Sequence, residues 1–424
     1  MEDAVNAQHG KSMGTFLVIW IGQVLSSVGT AIARFAVVWW IASLTGSATA
    51  LATVTMMSQI PRVFLSPVAG ALVDRWDRKR VLIVSDGAMA LTSLTLAILF
   101  WTGYIQVWHV YVVMLFQAIV QYFNSPAMLV VTGLLVPDQH LTRVAGMNQT
   151  LGGALNIGGP ILGALLLAVL PLENIMLIDV STALLAILPL LFVSVPRITR
   201  AAAEKRQSVI ADLKEGIRYV RAWPGLIVLL VGAAVANFVL TPAFSLTPLL
   251  ITKHFGGGAL ELSWLESAFG FGVIAGGLAL STWGGFKKNI LTTILGAGLC
   301  ATGLLGVGLA PASALALAIA GIFVAGVSIS LIDGPLMAIM QRVVAQDMQG
   351  RVFSLTSAIS GAAAPLGLAL FGPLADRVGV PPIYVACGIV LATVAFLFGL
   401  AKPVLRIEED GARLRAANGA TQAA

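Results

Sequence analysis

The sequence carries little charge. Aspartate, glutamate, lysine and arginine make up 10% of its 424 residues, whereas hydrophobic residues make up 58%. A water-soluble domain carries about 25% charged residues. Most of this chain is therefore predicted to lie in lipid, which excludes an ordinary soluble globular protein.

Cysteine and histidine are also scarce. The two cysteines, Cys300 and Cys387, lie in apolar runs, so they predict neither a disulfide framework nor a CxxC metal or redox motif. The four histidines are scattered, and the phosphate-binding pattern GxxxxGK[ST] is absent. We expect no metal site and no cofactor, and neither an enzyme nor an intrinsic ATPase.

The distribution of basic residues predicts membrane orientation. The net charge is +6, but all except four of the 25 lysines and arginines fall in segments predicted to be cytoplasmic. The exceptions are Lys253 and Arg377, predicted outside, and Arg34 and Arg62, predicted within helices. This asymmetry argues against a nucleic-acid partner and places both termini in the cytoplasm.

The apolar runs predict an all-α membrane protein of twelve spans in two six-helix bundles. The predicted spans cover about residues 15–43, 48–73, 81–101, 108–135, 146–170, 174–196, 225–251, 262–284, 289–310, 313–340, 353–374 and 382–401. The expected domains are a tail at 1–14, a bundle at 15–196, a linker at 197–224, a bundle at 225–401 and a tail at 402–424. Within the linker, Val209, Leu213, Ile217 and Val220 predict an amphipathic surface helix. The final tail is predicted to be disordered.

The turn between the second and third spans is dense in charge. It contains GALVDRWDRKR, from Gly70 to Arg80, with six charged residues between two apolar runs. This pattern resembles the signature between the second and third helices of the major facilitator superfamily. Its tail is most similar to the branch of macrolide-efflux and enterobactin-exporting proteins. The alternative is a simple topology signal.

The resemblance implies a conformational latch at the cytoplasmic side. In such proteins the aspartate of this motif contacts the start of the eleventh helix when the inner side is closed, which implies that Asp74 faces that helix N-terminus near Arg351 and Val352. The residues of the predicted latch are Gly70, Asp74, Arg75, Arg78, Arg143 and Arg351. Asp376 and Arg377, after Gly372-Pro373, resemble the end of the eleventh helix in this branch and are interpreted as an outer turn and gate.

The fifth span is rich in glycine and resembles the antiporter motif of drug–proton exchangers. The motif residues are Gly153, Gly158, Gly159, Pro160 and Gly163. Glycines allow close helix approach and Gly-Pro bends a helix, so close packing alone is the alternative interpretation.

Polar residues recur at helical spacing on spans 1, 4, 7 and 10, the spans that line the central cavity in the superfamily. The predicted cavity residues are Gln23, Ser27, Thr30, Arg34, Gln117, Gln121, Asn124, Asn237, Thr241, Ser330, Asp333 and Met337. The alternative is that these groups only bond neighbouring helices.

Acidic residues inside the spans suggest proton coupling. A charge at the bilayer centre costs from about 2.5 to over 10 kcal/mol, and a carboxyl group in a half-dry cavity can exchange a proton at physiological pH. Asp333 is the first candidate and Glu266 the second; a salt bridge is the alternative for Asp333. Asp179 also lies within a span, near the outer end of the sixth. Asp86 lies close to the inner end of the third span, where pairing with the basic residues Arg75 to Arg80 is expected.

The predicted function is export of bulky amphipathic molecules, such as drugs, macrolide-like compounds or siderophores, by proton-coupled alternating access. Two alternatives remain: uptake of a small solute through the same fold, and a non-transporting receptor or scaffold. The expected partners are the small-molecule substrate, protons and membrane lipid. The expected location is the bacterial cytoplasmic membrane, as a monomer.

Overall fold

A computed structural model of the protein describes residues 12–73, 76–193, 209–221 and 223–410. These residues form helices, with no strand among them. The long helices are α1 (Met13–Thr45), α2 (Ala48–Val73), α3 (Arg78–Thr102), α4 (Val107–Leu135), α5 (Leu141–Val169), α6 (Leu172–Phe192), α7 (Val209–Arg221), α8 (Pro224–Ser245), α9 (Ala259–Trp283), α10 (Asn289–Gly308), α11 (Leu315–Val343), α12 (Gln346–Val378) and α13 (Val380–Leu400).

Eleven of these helices are long and apolar enough to cross a membrane, so the all-α membrane fold is confirmed. Predicted spans 1–6 correspond to α1–α6, and spans 7–12 correspond to α8–α13. The seventh span continues beyond α8 through a π-helical segment, Leu250–Phe255, which ends at Gly256 with φ 65°.

The chain divides into two compact units. Unit 1 comprises Met1–Thr45 and Thr53–Glu204, and unit 2 comprises Gly46–Ala52 and Lys205–Ala424. In unit 1, α1 packs against α4, α5 and α6, and α3 packs against α4 and α6. In unit 2, α11 packs against α9 and α10, α13 packs against α10 and α8, and α12 packs against α8. The first turn of α2 therefore belongs to unit 2.

The charged turn begins α3 with a local cap. The Asp77 carboxylate accepts hydrogen bonds from the backbone nitrogens of Lys79 at 3.1 Å and Arg80 at 3.3 Å. An acceptor at this position satisfies two of the free donors at a helix start. Helix α3 ends at Gly103, whose φ of 72° suits glycine.

The predicted surface helix of the linker is confirmed as α7, which packs against α12 in unit 2. Val220 of α7 is buried in an apolar cluster with residues of α8, α11 and α12. The expectation of a disordered tail from residue 402 is wrong for residues 402–410. Val404 and Ile407 lie three residues apart on one helical face and are fully buried in the same cluster. Burying each side chain stabilises this end by about 1.5–3 kcal/mol.

Candidate functional site

The polar stripe of α1 in unit 1 points to a buried carboxyl group on α3. The Gln23 amide nitrogen donates to one Asp86 oxygen at 2.6 Å, and the Asn124 amide nitrogen of α4 donates to the other at 3.1 Å. Asp86 is 4% exposed. Both bonds come from uncharged amides, so Asp86 joins α1, α3 and α4 rather than pairing with the described part of the basic turn.

A second buried carboxyl group lies two helical turns away along the same faces of α1 and α3. The Thr30 hydroxyl donates to one Asp179 oxygen at 2.9 Å, and the Ser93 hydroxyl donates to the other at 2.5 Å. Asp179, on α6, is 2% exposed. Gly29 makes this contact possible, because a Cβ atom there would lie 3.1 Å from the Asp179 Cα atom.

The other predicted cavity residues of unit 1 take different positions. Gln117 donates to the Thr92 hydroxyl of α3 at 3.0 Å, and Ser27 donates to the Gln23 carbonyl within α1. Gln121 and Arg34 are exposed. The stripe on α1 thus contains groups that bond neighbouring helices. It also contains Arg34, which lies on the surface of the unit.

The second half of the glycine motif packs α5 against α1. A Cβ atom at Gly159 would lie 3.0 Å from the Ala31 side chain, and one at Gly163 would lie 2.7 Å from the Phe35 ring. Pro160 is buried between them. Gly153 is half-buried, and a Cβ atom at Gly158 would meet open space. The motif therefore contributes a close helix contact through its last three members.

In unit 2, α11 presents an exposed polar and flexible face. Asp333 and Met337 are both exposed, one helical turn apart. In the described part of the chain, Asp333 has no hydrogen-bond or ion-pair partner. Ser330, one turn earlier, donates to the Val273 carbonyl of α9 at 2.8 Å and so fixes the helix from behind.

The remaining unit 2 candidates are half-buried. Asn237 donates to the Ala233 carbonyl within α8 at 3.0 Å, and Thr241 lies one turn later on the same helix. Glu266 lies in α9, near enough to Tyr384 of α13 for an electrostatic interaction. The described residues contain no group of three or more His, Cys, Asp or Glu that could hold a metal ion.

Asp376, in the last turn of α12, caps the start of α2 within unit 2. Its carboxylate accepts from the backbone nitrogens of Ala48 at 2.6 Å and Thr49 at 3.0 Å. It also accepts from the hydroxyls of Ser47 at 3.0 Å and Thr49 at 2.5 Å. Asp376 therefore satisfies two of the free backbone donors at this helix N-terminus.

The predicted latch residues are only partly described. Asp74 and Arg75 lie outside the described residues, and the surroundings of Gly70 are likewise not described. Arg78 begins α3, and Arg143 is exposed. Arg351 pairs with Glu215 of α7 at 3.1 Å, within unit 2.

The sequence matches a known family profile. The profile of the Major Facilitator Superfamily matches residues 19–368.

The chain belongs to the Major Facilitator Superfamily.

Two groups of curated superfamily relatives carry efflux names. Macrolide efflux protein A of Streptococcus pyogenes is 31% identical over 393 residues, which cover 93% of this chain and 97% of the relative. Multidrug efflux pump Tap of Mycolicibacterium fortuitum is 28% identical over 397 residues, which cover 88% of this chain and 92% of the relative.

Solved structures of transporters agree in fold. A bacterial homolog of the human lysosomal transporter Spinster, in an inward-facing and unoccupied conformation, has a TM-score of 0.71 at 13% identity. The match covers 94% of this chain and 99% of that one. A bacterial homologue of the iron transporter ferroportin, in an inward-facing state, has a TM-score of 0.69 at 13% identity, with 91% and 98% covered. The protein is therefore a multi-pass integral membrane protein of this fold.

Sequence reasoning did not select Asp86 and Asp179 as candidate proton sites. A signal for them is present in the spacing: Gln23 and Thr30 lie two helical turns apart on α1, and Asp86 and Ser93 lie two helical turns apart on α3. Matched polar pairs at the same spacing on α1 and α3 indicate that the two helical faces share polar partners. The partners on α4 and α6 are too distant in sequence for that pattern to identify.

Proposed function

We propose that this protein exports bulky amphipathic molecules, including macrolide-like drugs, across the bacterial cytoplasmic membrane in exchange for protons. The observation that carries the proposal is the similarity to macrolide efflux protein A along nearly all of both chains. The relationship to a multidrug efflux pump supports a broad rather than a narrow specificity. A siderophore is a further substrate of the same amphipathic kind.

The fold alone does not set the direction of transport, because one fold serves many functions. A D-xylose–proton symporter also shares it, with a TM-score of 0.66 at 14% identity. Export therefore rests on the relatives of higher identity, and uptake of a small solute is the outcome that the experiment below must exclude.

The proposed mechanism is alternating access, in which two helix bundles rock about a central cavity. The exposed Asp333 and Met337 of α11 support a cavity wall that combines a carboxyl group with a flexible thioether. Asp333, with Glu266 second, is proposed to exchange protons during the cycle. The Asp74 latch is proposed to close the cytoplasmic side, and this part rests on the sequence motif.

The proposed orientation places both termini and the linker in the cytoplasm. It is supported by the concentration of lysine and arginine in the segments assigned to that side. The proposed working form is a monomer surrounded by lipid.

A drug-susceptibility panel in an efflux-deficient bacterial host tests the proposal. Cells that express the protein should tolerate at least about fourfold more macrolide than cells with an empty vector, and Asp333→Asn should remove most of this gain. Asp138→Asn, an exposed acid in the loop between α4 and α5, is the matched control and should retain it.

Two results would count against the proposal. If expression changes tolerance to no compound in the panel, multidrug export is the wrong specificity. If expression instead sensitises cells, transport runs inward.

A further inference from the structure

We propose that Asp86 and Asp179 are two additional proton-binding sites, stacked inside unit 1 and joined to α1 through Gln23 and Thr30. This inference rests on the proposed proton-coupled function and extends it to groups away from α11. The geometry that supports it is the pair of buried carboxyl groups whose hydrogen-bond partners among the described residues are all uncharged.

Both carboxyl groups lie where a permanent charge is costly. They are 4% and 2% exposed, within helices that are apolar enough to cross a membrane. A buried charge is tolerated when an opposite charge accompanies it. A carboxyl group that lacks such a partner avoids the cost by binding a proton.

The charged and titratable groups on the surrounding helices do not supply that partner. Among the described residues of α1, α3, α4, α5 and α6, neither carboxyl group is bonded to any of the basic groups Arg34, Arg78, Lys79, Arg80 and Arg143. The same holds, within the described chain, for the other titratable groups His109, Tyr111, Tyr122 and Glu173. Lys79, for example, donates to the Leu191 carbonyl at 3.2 Å.

The two sites differ in what a proton would change. The partners of Asp179 are hydroxyl groups, which can either donate or accept. A proton on Asp179 can therefore be donated to Thr30 or Ser93 while both contacts persist. Asp179 is suited to hold a proton with little movement.

The partners of Asp86 are amide nitrogens, which only donate. When Asp86 binds a proton, one of its oxygens becomes a hydroxyl group, so the amide of Gln23 or Asn124 that faces this oxygen either turns to present its own oxygen or keeps a weaker bond. Gln23 is half-buried on α1 and Asn124 is buried on α4. Protonation of Asp86 therefore changes the contact between α1, α3 and α4, which couples a proton to helix packing.

Infrared difference spectroscopy tests proton binding without any substrate. The purified full-length protein, in detergent, is titrated from alkaline to acid pH while the C=O stretch of protonated carboxyl groups is followed. We expect a band in the wild type that loses intensity in Asp86→Asn and again in Asp179→Asn. Asp333→Asn should leave these two contributions in place.

A second pair of variants keeps both carboxyl groups and removes one donor from each. In Asn124→Ala and Ser93→Ala the band should appear at a more alkaline pH, because the charged carboxylate has lost a hydrogen bond. These variants keep the test decisive if an aspartate variant fails to fold. A titration identical to the wild type in both would overturn the inference.

Transport in everted membrane vesicles tests the coupling. Asp86→Asn should lower gradient-driven accumulation of erythromycin at least tenfold, while erythromycin binding to the purified protein changes less than about twofold. Asp86→Glu should restore part of the accumulation, which a role in packing alone would not predict. Ser263→Ala, a buried hydroxyl of α9 that bonds its own helix, is the control.

The outcomes separate this inference from the proposed function. If the wild type neither binds nor accumulates erythromycin, the proposed specificity fails, and the infrared titration still decides the proton sites. If the wild type accumulates erythromycin and both aspartate variants retain accumulation within about twofold, the two aspartates are not coupling sites.

Discussion

The interiors of the two units are held together by different means. In unit 1 the buried polar groups include two carboxyl groups and an amide, Asp86, Asp179 and Asn124, bonded across helices. In unit 2, within the described residues, the buried polar groups include serine and threonine hydroxyls, several of which bond only to their own helix. The buried Tyr384 hydroxyl bonds the Thr247 hydroxyl at 2.9 Å. Helices of unit 2 approach through glycines, as α1 does with α5 and α6 in unit 1, but among the described residues of unit 2 no buried carboxyl group joins them.

The contact between α9 and α11 shows the second strategy. A Cβ atom at Gly272 would meet the Phe323 carbonyl, and one at Gly326 would meet the Phe269 carbonyl. Helices in lipid gain stability from such close backbone approach, since lipid supplies little hydrophobic driving force between them. The comparison suggests that unit 1 contains groups that respond to protons, whereas the core of unit 2 supports the exposed face of α11.

The largest loss of stability is expected from adding a Cβ atom at the glycine contact between α9 and α11 in unit 2. Gly272→Ala should lower the free energy of unfolding by about 3 kcal/mol, because its Cβ atom meets backbone that cannot move away easily. Gly277→Ala lies on the same helix, where a Cβ atom would meet nothing within 4 Å. It should be neutral or stabilise by up to about 1 kcal/mol. Thermal unfolding in detergent measures both, and equal effects would refute the glycine-packing interpretation.

A smaller loss of stability is expected in unit 1 when the hydrogen bond between Thr30 and Asp179 is removed. Thr30→Val keeps the shape of the side chain but removes a donor to Asp179, which should cost about 1–3 kcal/mol. Ser27→Ala, on the same face of α1, removes a bond within the helix and should cost less than about 0.5 kcal/mol. The same unfolding measurement would contradict a stabilising role for the Thr30–Asp179 bond if the two substitutions lowered the free energy of unfolding by equal amounts.

The smallest loss of stability is expected in unit 2, at the start of α2, which Asp376 caps. Asp376→Ala removes the cap of α2 and should cost about 0.5–2 kcal/mol. Limited proteolysis near Ser47 should then become faster. Arg377→Ala, the exposed neighbour, should leave cleavage unchanged. Unchanged cleavage in the Asp376 variant would show that the cap does not hold this segment.

Most of the helix bounds could be predicted from the sequence because a membrane span is defined by its own apolar run. The start of α12 was predicted near residue 353, but the helix begins at Gln346. Its first turns are polar, and they pack against α7, with Arg351 paired to Glu215. No local pattern indicates that contact.

The candidate site was predicted less completely, for a physical reason. The stripe of Gln23 and Thr30 is visible as a helical face, but its partners Asp86, Asn124 and Asp179 come from three other helices. Their pairing depends on how the helices rotate and approach, for example at Gly29. Periodicity identifies a face of one helix and leaves the opposing face undetermined.

The most direct test of the proposed function is erythromycin transport by the purified protein in liposomes. Both the proton gradient and the membrane potential are set, with no ATP present. We predict that an acidic lumen drives accumulation of erythromycin to at least about fivefold the level reached in protein-free liposomes under the same gradient. An ionophore that collapses the gradient should abolish this accumulation. Accumulation that is the same with and without the gradient would contradict proton-coupled export.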